Sequence, residues 1–114
     1  MIVLDSSALL AIALEEPGAS SVQAVAREAA LSSANLAEIL PVVERNGGDS
    51  EQIFLDIVAL GVEITPVSTA HARMAAQIWK KYPRLNLSLG DRLCLALAFD
   101  LRADVLTSDR EMTK

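Results

Sequence analysis

The sequence has one cysteine and one histidine, and each scarcity excludes a class of site. A single cysteine excludes an internal disulfide framework, and Cys94 stands between Leu93 and Leu95, where a buried, inert thiol is expected. No histidine or second cysteine stands at metal-ligand spacing from Cys94. With His71 alone, a mechanism based on paired imidazoles is excluded, and we expect this residue at the surface near the start of a helix.

Aromatic residues make up only 4% of the chain, whereas hydrophobic residues make up 52%. The core must therefore consist of alanine, leucine, valine and isoleucine, which favours helices packed closely on a flat layer. Trp79 and Tyr82 are the plausible platforms for stacking on a nucleobase. However, Trp79 lies in an apolar helical segment and is expected in the core, and Tyr82 beside Pro83 is a weak candidate.

Long hydrophobic runs are also missing. The apolar run at residues 8–14 is too short to cross a membrane, and the N-terminus lacks the basic flank and cleavage site of a signal peptide. We therefore expect a cytoplasmic protein that does not associate with membranes. Its length predicts a single domain over residues 1–114.

The net charge of −5 argues, taken alone, against a protein that binds nucleic acid. The charges are unevenly distributed, however. Residues 1–79 contain ten acids and three bases, whereas residues 80–114 contain five acids and seven bases. An acidic site beside a basic surface would suit a phosphate substrate bound through metal ions. Ordinary solvated surface charge explains the same pattern equally well.

Short apolar runs with strand character alternate with helical segments along the chain. The predicted strands lie at residues 2–4, 30–32, 62–67 and 104–107. The predicted helices lie at residues 6–15, 19–29, 35–45, 68–82 and 91–101, and a further helix is predicted with Ser50 as its cap. Pro41 should kink or shorten the third helix. This alternation predicts an α/β fold with a largely parallel central sheet and helices on both faces.

Four acidic residues stand where one edge of such a sheet would gather them. Asp5 ends the first strand, and Asp109 follows the last. Asp91 begins a helix, and Glu38 lies one turn into the helix after the second strand. Because ligands collect outside the carboxyl ends of parallel strands, the four carboxylates are predicted to converge there.

Each acid also has a purely structural explanation. Asp5 or Ser6 is suited to capping the first helix, and Ser88 with Asp91 has the spacing of a capping box. Glu38 fits an exposed helical face, and Asp109 fits a turn or a cap. The combination of all four is what favours a functional site.

Carboxylates gathered at one edge repel one another, so they need a cation to coexist in the ionised form. With oxygen ligands alone, the site selects a hard ion, Mg²⁺ or Mn²⁺. Such an ion in an acidic cluster activates water and stabilises the charge that develops in phosphodiester cleavage. The side chains available to orient the carboxylates are Ser6, Asn35, Ser88, Thr107 and Ser108.

Four stretches of the sequence together resemble the PIN-domain family, and specifically the VapC-type toxins of prokaryotic toxin–antitoxin pairs. The stretches are residues 1–11 (MIVLDSSALLA), 31–38 (LSSANLAE), 87–98 (LSLGDRLCLALA) and 105–110 (VLTSDR). They occur in the family's order and at family-like intervals across essentially the whole chain.

The resemblance implies a Mg²⁺- or Mn²⁺-dependent endoribonuclease on a Rossmann-like sheet. It assigns metal binding to Asp5, Glu38 and Asp91, with Asp109 as a fourth, more variable acid. It also places Ser6 and Thr107 beside the metal. Relatives commonly form homodimers and are silenced by a cognate antitoxin protein.

The sequence departs from the family pattern in three places. Ser6 replaces the usual threonine and keeps its hydroxyl, whereas Pro41 falls in a helix that is regular in the family. The sequence also stops at Lys114, where relatives continue with a short helix and a final strand. We therefore expect a sheet of about four strands, without the family's usual last strand.

Two other functions stay open. A haloacid-dehalogenase-like phosphatase also begins with an apolar strand ending in aspartate, but it needs a second acid where this chain has Ser7. A catalytically silent PIN-like domain, which would only bind RNA or a protein partner, fits the same residues. The ribonuclease interpretation is preferred because the four acids occur together.

Overall fold

The computed structural model of the protein describes residues 1–16 and 18–107. Within these ranges the strands are β1 (Ile2–Leu4), β2 (Ala29–Ser32), β3 (Glu63–Thr65) and β4 (Asp104–Leu106). The helices are α1 (Ser6–Ala13), α2 (Ala19–Val25), α3 (Ser33–Arg45), α4 (Ser50–Ala59), α5 (Thr69–Lys81) and α6 (Leu89–Leu101). Short 3₁₀ turns cover Ala26–Glu28 and Pro83–Leu85.

The strands form one sheet in the order β3-β2-β1-β4, and each neighbouring pair is parallel. At its centre Leu4 on β1 pairs with Leu31 on β2 and with Leu106 on β4. The predicted parallel α/β fold is thus confirmed. Because the strands run in one direction, their carboxyl ends meet at a single edge of the sheet.

The hydrophobic core lies on both faces of the sheet, because side chains alternate along each strand. Leu4 and Leu31 face one side, where they pack against buried residues of α1, α3 and α4, namely Leu9, Ile39 and Ile57. Val3 and Ala30 face the other side and pack against α6 through Cys94. Helices therefore cover both faces, and the expectation that Cys94 is buried is confirmed.

Helix α3 passes through Pro41 and ends at Arg45, the predicted end, so Pro41 does not shorten the helix, and a kink at Pro41 stays a prediction. Proline lacks an N–H group, so one internal hydrogen bond is missing there. The apolar face of α3 offsets that loss, since Ile39 and Val43 on either side of the proline are each 1% exposed.

The start of α4 also corrects a prediction. Asp49 caps this helix in place of the expected Ser50. Its Oδ1 accepts hydrogen bonds from the backbone N–H groups of Glu51 (3.0 Å) and Gln52 (3.3 Å). A carboxylate at this position also interacts favourably with the helix dipole.

Two residues of α5 lie opposite to where the sequence places them. His71, expected at the surface, is buried, and its Nε2 lies 2.9 Å from Oδ2 of Asp100 on α6. Trp79, expected in the core, is 57% exposed.

In the described part of the chain no helix is both long and apolar enough to cross a membrane.

Candidate active site

The structure brings three of the four predicted acids to the carboxyl edge of the sheet. Asp5 directly follows β1, Glu38 lies in α3, and Asp91 lies in the first turn of α6. Asp109, like Ser108, lies outside the described residues. The site is therefore built from the ends of β1 and β4 and from two helices that begin beside them.

Asp5 is 2% exposed and is the residue that caps α1, where the sequence left Asp5 and Ser6 as alternatives. Its Oδ1 accepts one hydrogen bond from the backbone N–H of Ala8 (2.9 Å) and another from Oγ of Ser7 (2.7 Å). Oγ of Ser7 also lies 2.8 Å from Oγ1 of Thr107. These contacts hold Asp5 rigidly and connect it to the end of β4.

Ser7 is a residue that the sequence analysis did not assign to the site. Its hydroxyl group connects Asp5 with the predicted site residue Thr107. Its position offered a weak signal. A hydroxyl two residues after a helix-capping aspartate is well placed to bond the capping carboxylate.

Glu38 is held by two of the predicted orienting residues. Oγ of Ser6 donates to Oε1 of Glu38 (2.6 Å), and Nδ2 of Asn35 lies 3.2 Å from the same oxygen. Nδ2 of Asn35 also lies 3.0 Å from Oγ of Ser6, so the three side chains form a closed network. Glu38 itself is exposed, whereas Asn35 is fully buried.

Gly90 joins this network to α6. The Nδ2 group of Asn35 donates to the carbonyl oxygen of Gly90 (3.2 Å). The carboxylate of Glu38 occupies the space that a β-carbon at position 90 would need. The sequence analysis did not predict that Gly90 makes room for Glu38. The signal available was that glycine is unfavourable within a helix, so its presence in the first turn of α6 indicates a steric requirement.

Asp91 forms the capping box that its spacing with Ser88 predicted. Oγ of Ser88 accepts from the backbone N–H of Asp91 (3.0 Å), and Oδ2 of Asp91 accepts from the backbone N–H of Ser88 (2.9 Å). Because Ser88 is the cap, α6 begins at Leu89, two residues before the predicted start at Asp91.

The pKa of the Cys94 thiol depends on the negative charges at this edge of the sheet. Cys94 is fully buried one turn after Asp91, and its Sγ lies 3.8 Å from the carbonyl oxygen of Leu4. Burial raises the pKa of the thiol to about 12, and the negative charges of Asp5, Asp91 and Glu38 add to this rise. The three acids therefore act together on one buried point.

The donor atoms at this edge match the preference of a hard cation. The hydrogen bonds of the described residues use one oxygen each of Asp5, Glu38 and Asp91, and leave the second oxygen of each carboxylate unbonded. Among the same residues, Oδ1 of Asn35 is buried without a hydrogen-bond partner. Mg²⁺ takes oxygen ligands, usually one or two carboxylates together with water molecules and substrate phosphates.

The arrangement of these oxygen atoms fits a metal site less well than their chemical type does. Residues 1–16 and 18–107 contain no group of three or more His, Cys, Asp or Glu side chains arranged to hold a metal ion. The donor types therefore fit a hard cation. Enclosing one needs a rearrangement of these side chains or a further ligand.

Solved structures share this fold. A chain of a toxin–antitoxin complex from Klebsiella pneumoniae matches with a TM-score of 0.78 at 16% identity, over 96% of this chain and 87% of that one. The sarcin–ricin loop cleaving toxin VapC20 of Mycobacterium tuberculosis matches with a TM-score of 0.73 at 15% identity, over 99% and 93%. VapBC2 from Rickettsia felis, bound to a DNA fragment from its promoter, matches with a TM-score of 0.72 at 22% identity, over 96% and 89%.

At these identities the structural likeness establishes a fold common to this chain and to proteins of toxin–antitoxin complexes. The family follows from the sequence itself. The sequence profile of the PIN domain matches residues 2–114, and the chain belongs to the PIN-domain family. Comparison with curated protein sequences finds no match.

Proposed function

We propose that this PIN-domain protein is a Mg²⁺- or Mn²⁺-dependent endoribonuclease that hydrolyses RNA phosphodiester bonds, and that it is the toxin of a VapBC-type pair. The observation that carries the proposal is the convergence of Asp5, Glu38 and Asp91 at one edge of the sheet. Two hydroxyl groups and a buried amide hold Asp5 and Glu38, and all three acids raise the pKa of the Cys94 thiol.

No lysine or arginine side chain forms a salt bridge with these acids within the described part of the chain, where the one close contact between a basic and an acidic side chain joins His71 to Asp100. Like charges that are gathered without a counter-charge favour binding of a cation. A structural role alone does not account for such a gathering, because a capping carboxylate needs no second acid beside it. This argument supports a metal site over a set of separate helix caps.

Each residue has a definite part in the proposed reaction. Asp5, Glu38 and Asp91 would hold the ion, and the family resemblance adds Asp109. A bound divalent cation would lower the pKa of a water molecule and would neutralise charge on the phosphate oxygens. Ser6 and Asn35 hold Oε1 of Glu38, and Ser7 connects Asp5 with Thr107 after the end of β4.

Calorimetric titration with Mn²⁺ and a cleavage assay on single-stranded RNA test this proposal. The variant is Asp5→Asn, and the matched control is Asp49→Asn. Both aspartates cap a helix, and asparagine caps about as well as aspartate, so both variants should fold. We expect Asp5→Asn to abolish cleavage and to weaken Mn²⁺ binding, while Asp49→Asn cleaves like the wild type. Equal cleavage by the two variants would remove the proposed site.

The toxin role rests on the family resemblance and on the fold shared with chains of toxin–antitoxin complexes. It implies RNA as substrate, a cognate antitoxin as partner, a homodimer and a cytoplasmic location. Expression of the protein should arrest growth, and co-expression of a neighbouring gene product should restore it. Growth arrest by the Asp5→Asn variant as strong as that by the wild type would separate toxicity from cleavage.

A catalytically silent PIN domain that only binds RNA or protein is the second candidate. The observation in its favour is that Asp5 caps α1 and Asp91 completes the capping box of α6, so both carboxylates already have structural roles. In that case Mn²⁺ would not bind, and Asp91→Asn would change neither RNA binding nor RNA integrity. RNA cleavage by the wild type that is lost in Asp91→Asn would exclude the catalytically silent domain.

A further inference from the structure

A small cleft lies between the end of α5 and the start of α6. Its volume is about 110 Å³, and its lining residues are Trp79, Tyr82, Pro83, Asn86, Leu87 and Arg92. Pockets that enclose a whole small molecule are commonly about 300–1,000 Å³. This cleft is therefore too small to enclose a whole small molecule, but it can accommodate part of a planar group such as a nucleobase.

The two aromatic side chains of the cleft face solvent. Trp79 is 57% exposed and Tyr82 is 46% exposed, whereas the neighbouring Ile78 on α5 is 5% exposed. The ammonium group of Lys81 lies 5.5 Å from the centre of the Tyr82 ring. Trp79 is therefore the larger and more open of the two aromatic surfaces.

The segment that carries the aromatic pair is basic, in an otherwise acidic protein. Between Trp79 and Arg92 there are four bases, namely Lys80, Lys81, Arg84 and Arg92, and the only acid is Asp91. Among the described residues none of these bases forms a salt bridge. Unpaired basic residues beside exposed aromatic rings suit a strand that carries both bases and phosphates.

Arg92 connects the cleft to the candidate active site. It directly follows Asp91, and its Nε donates to the carbonyl oxygen of Ser88 (3.3 Å), which also belongs to the capping box. The cleft and Asp91 therefore share the first turn of α6. A strand whose phosphate reaches Asp91 has its neighbouring nucleotides near the cleft.

We propose that this cleft is a nucleobase subsite for single-stranded RNA, in which an unpaired base stacks on Trp79 and the neighbouring phosphates contact Arg92 and Lys80. The inference rests on the proposed function, since it concerns the substrate of the same site. A base in a duplex is stacked between its neighbours and cannot reach the indole ring, so the subsite selects unpaired RNA.

The protein contains one tryptophan, so its fluorescence reports on this cleft alone. The probe is a short single-stranded RNA of mixed sequence, added to wild-type protein in EDTA so that no cleavage occurs. Its duplex form and an abasic phosphodiester strand of the same length serve as comparisons. We expect saturable quenching by the single-stranded RNA only. No quenching, or equal quenching by the abasic strand, would overturn the subsite.

A second experiment measures the affinity of the same RNA, carrying a fluorescent label, by anisotropy. Trp79→Ala should weaken binding about tenfold, which is the usual scale for the loss of one stacked base. Phe99→Ala is the matched control, because Phe99 is an aromatic residue of similar exposure (62%) elsewhere on α6. Wild-type affinity in Trp79→Ala, or equal losses in both variants, would contradict the proposal.

The two proposals fail in different ways. Because binding is measured without metal, quenching by RNA that the wild type never cleaves in Mn²⁺ would support the subsite and overturn the nuclease. Cleavage that depends on Asp5, with no quenching of Trp79, would overturn the subsite and leave the nuclease standing.

Discussion

The carboxylate of Glu38 on α3 lies over the α-carbon of Gly90 on α6, in space that any side chain at position 90 would fill. Glu38 can therefore take its position only because residue 90 has no β-carbon. The amide of Asn35 closes this arrangement, since it bonds both Glu38 and the carbonyl oxygen of Gly90. A backbone feature of one helix thus determines where a carboxylate of another helix lies.

Gly90→Ala should displace Glu38 while leaving the protein folded. The added methyl group meets the end of a flexible side chain, which can turn away, and alanine favours the helix by up to about 1 kcal/mol over glycine. We expect RNA cleavage to fall at least tenfold, with a free energy of unfolding within about 1 kcal/mol of wild type. Cleavage assays and urea unfolding measure the two effects.

A double-mutant cycle is the control for this prediction. In a Glu38→Ala background no carboxylate is left to displace, so Gly90→Ala should simply stabilise the helix. The same stability change in both backgrounds would show that Glu38 and Gly90 do not interact, and would contradict the arrangement described here.

Asn35 should be essential for stability as well as for the position of Glu38. It is fully buried, and its amide group lies within hydrogen-bond distance of Ser6, Glu38 and Gly90. Asn35→Ala should lower the free energy of unfolding by about 1–3 kcal/mol, because the hydrogen bonds of a fully buried amide group are lost, including the one to the buried carbonyl oxygen of Gly90.

Asn35→Asp is the sharper variant at this position. It replaces the donor with a buried negative charge facing Glu38, so it should destabilise the protein more than Asn35→Ala does at neutral pH. The difference in the free energy of unfolding between Asn35→Asp and Asn35→Ala should become smaller as the pH falls, because the new carboxyl group takes up a proton and loses its charge. Urea unfolding of both variants at several pH values measures this, and a constant difference would contradict it.

Local patterns in the sequence predicted the features that depend on neighbouring residues. The strand of residues 2–4 ending at Asp5, and the capping-box spacing of Ser88 with Asp91, required only short-range reasoning. The parallel arrangement followed from the alternation of elements. These were enough to place Asp5 and Asp91 at one edge of the sheet.

Contacts between distant residues could not be predicted in the same way. Ser7 meets Thr107 across 100 positions of sequence, and Asn35 meets Gly90 across 55. Nothing in either local sequence indicates such a partner. The exposure of Trp79 had the same cause, because an apolar segment has two faces and tertiary packing decides which of them is buried.

The Cys94 thiol should make the protein sensitive to alkali. Its pKa rises from 9.0 to about 12 in the folded protein, first because of burial and then because of the charges of Asp5, Asp91 and Glu38. The protonated thiol therefore contributes stability that is complete below pH 9.0 and is lost as the pH rises toward 12. Above pH 9 this loss should approach about 1.4 kcal/mol per pH unit.

Cys94→Ala isolates this effect from the ionisation of lysine and tyrosine. The stability of the wild type relative to Cys94→Ala, measured by urea unfolding in EDTA, should be constant between pH 7 and 8.5 and should fall above pH 9. A thiol reagent at pH 8 should also react slowly with the native protein and rapidly in urea. Rapid reaction of the native thiol would be inconsistent with its burial.

The contact of His71 with Asp100 should contribute to stability mainly through the buried partner. The side chain of His71 is 7% exposed between α5 and α6, whereas that of Asp100 is 62% exposed. His71→Ala leaves a cavity between the helices and should lower the free energy of unfolding by about 2 kcal/mol. Asp100→Ala should cost less than about 1 kcal/mol, because water can replace an exposed carboxylate. Thermal and urea unfolding compare the two variants, and equal losses would mean that the contact, more than the burial of His71, joins the helices.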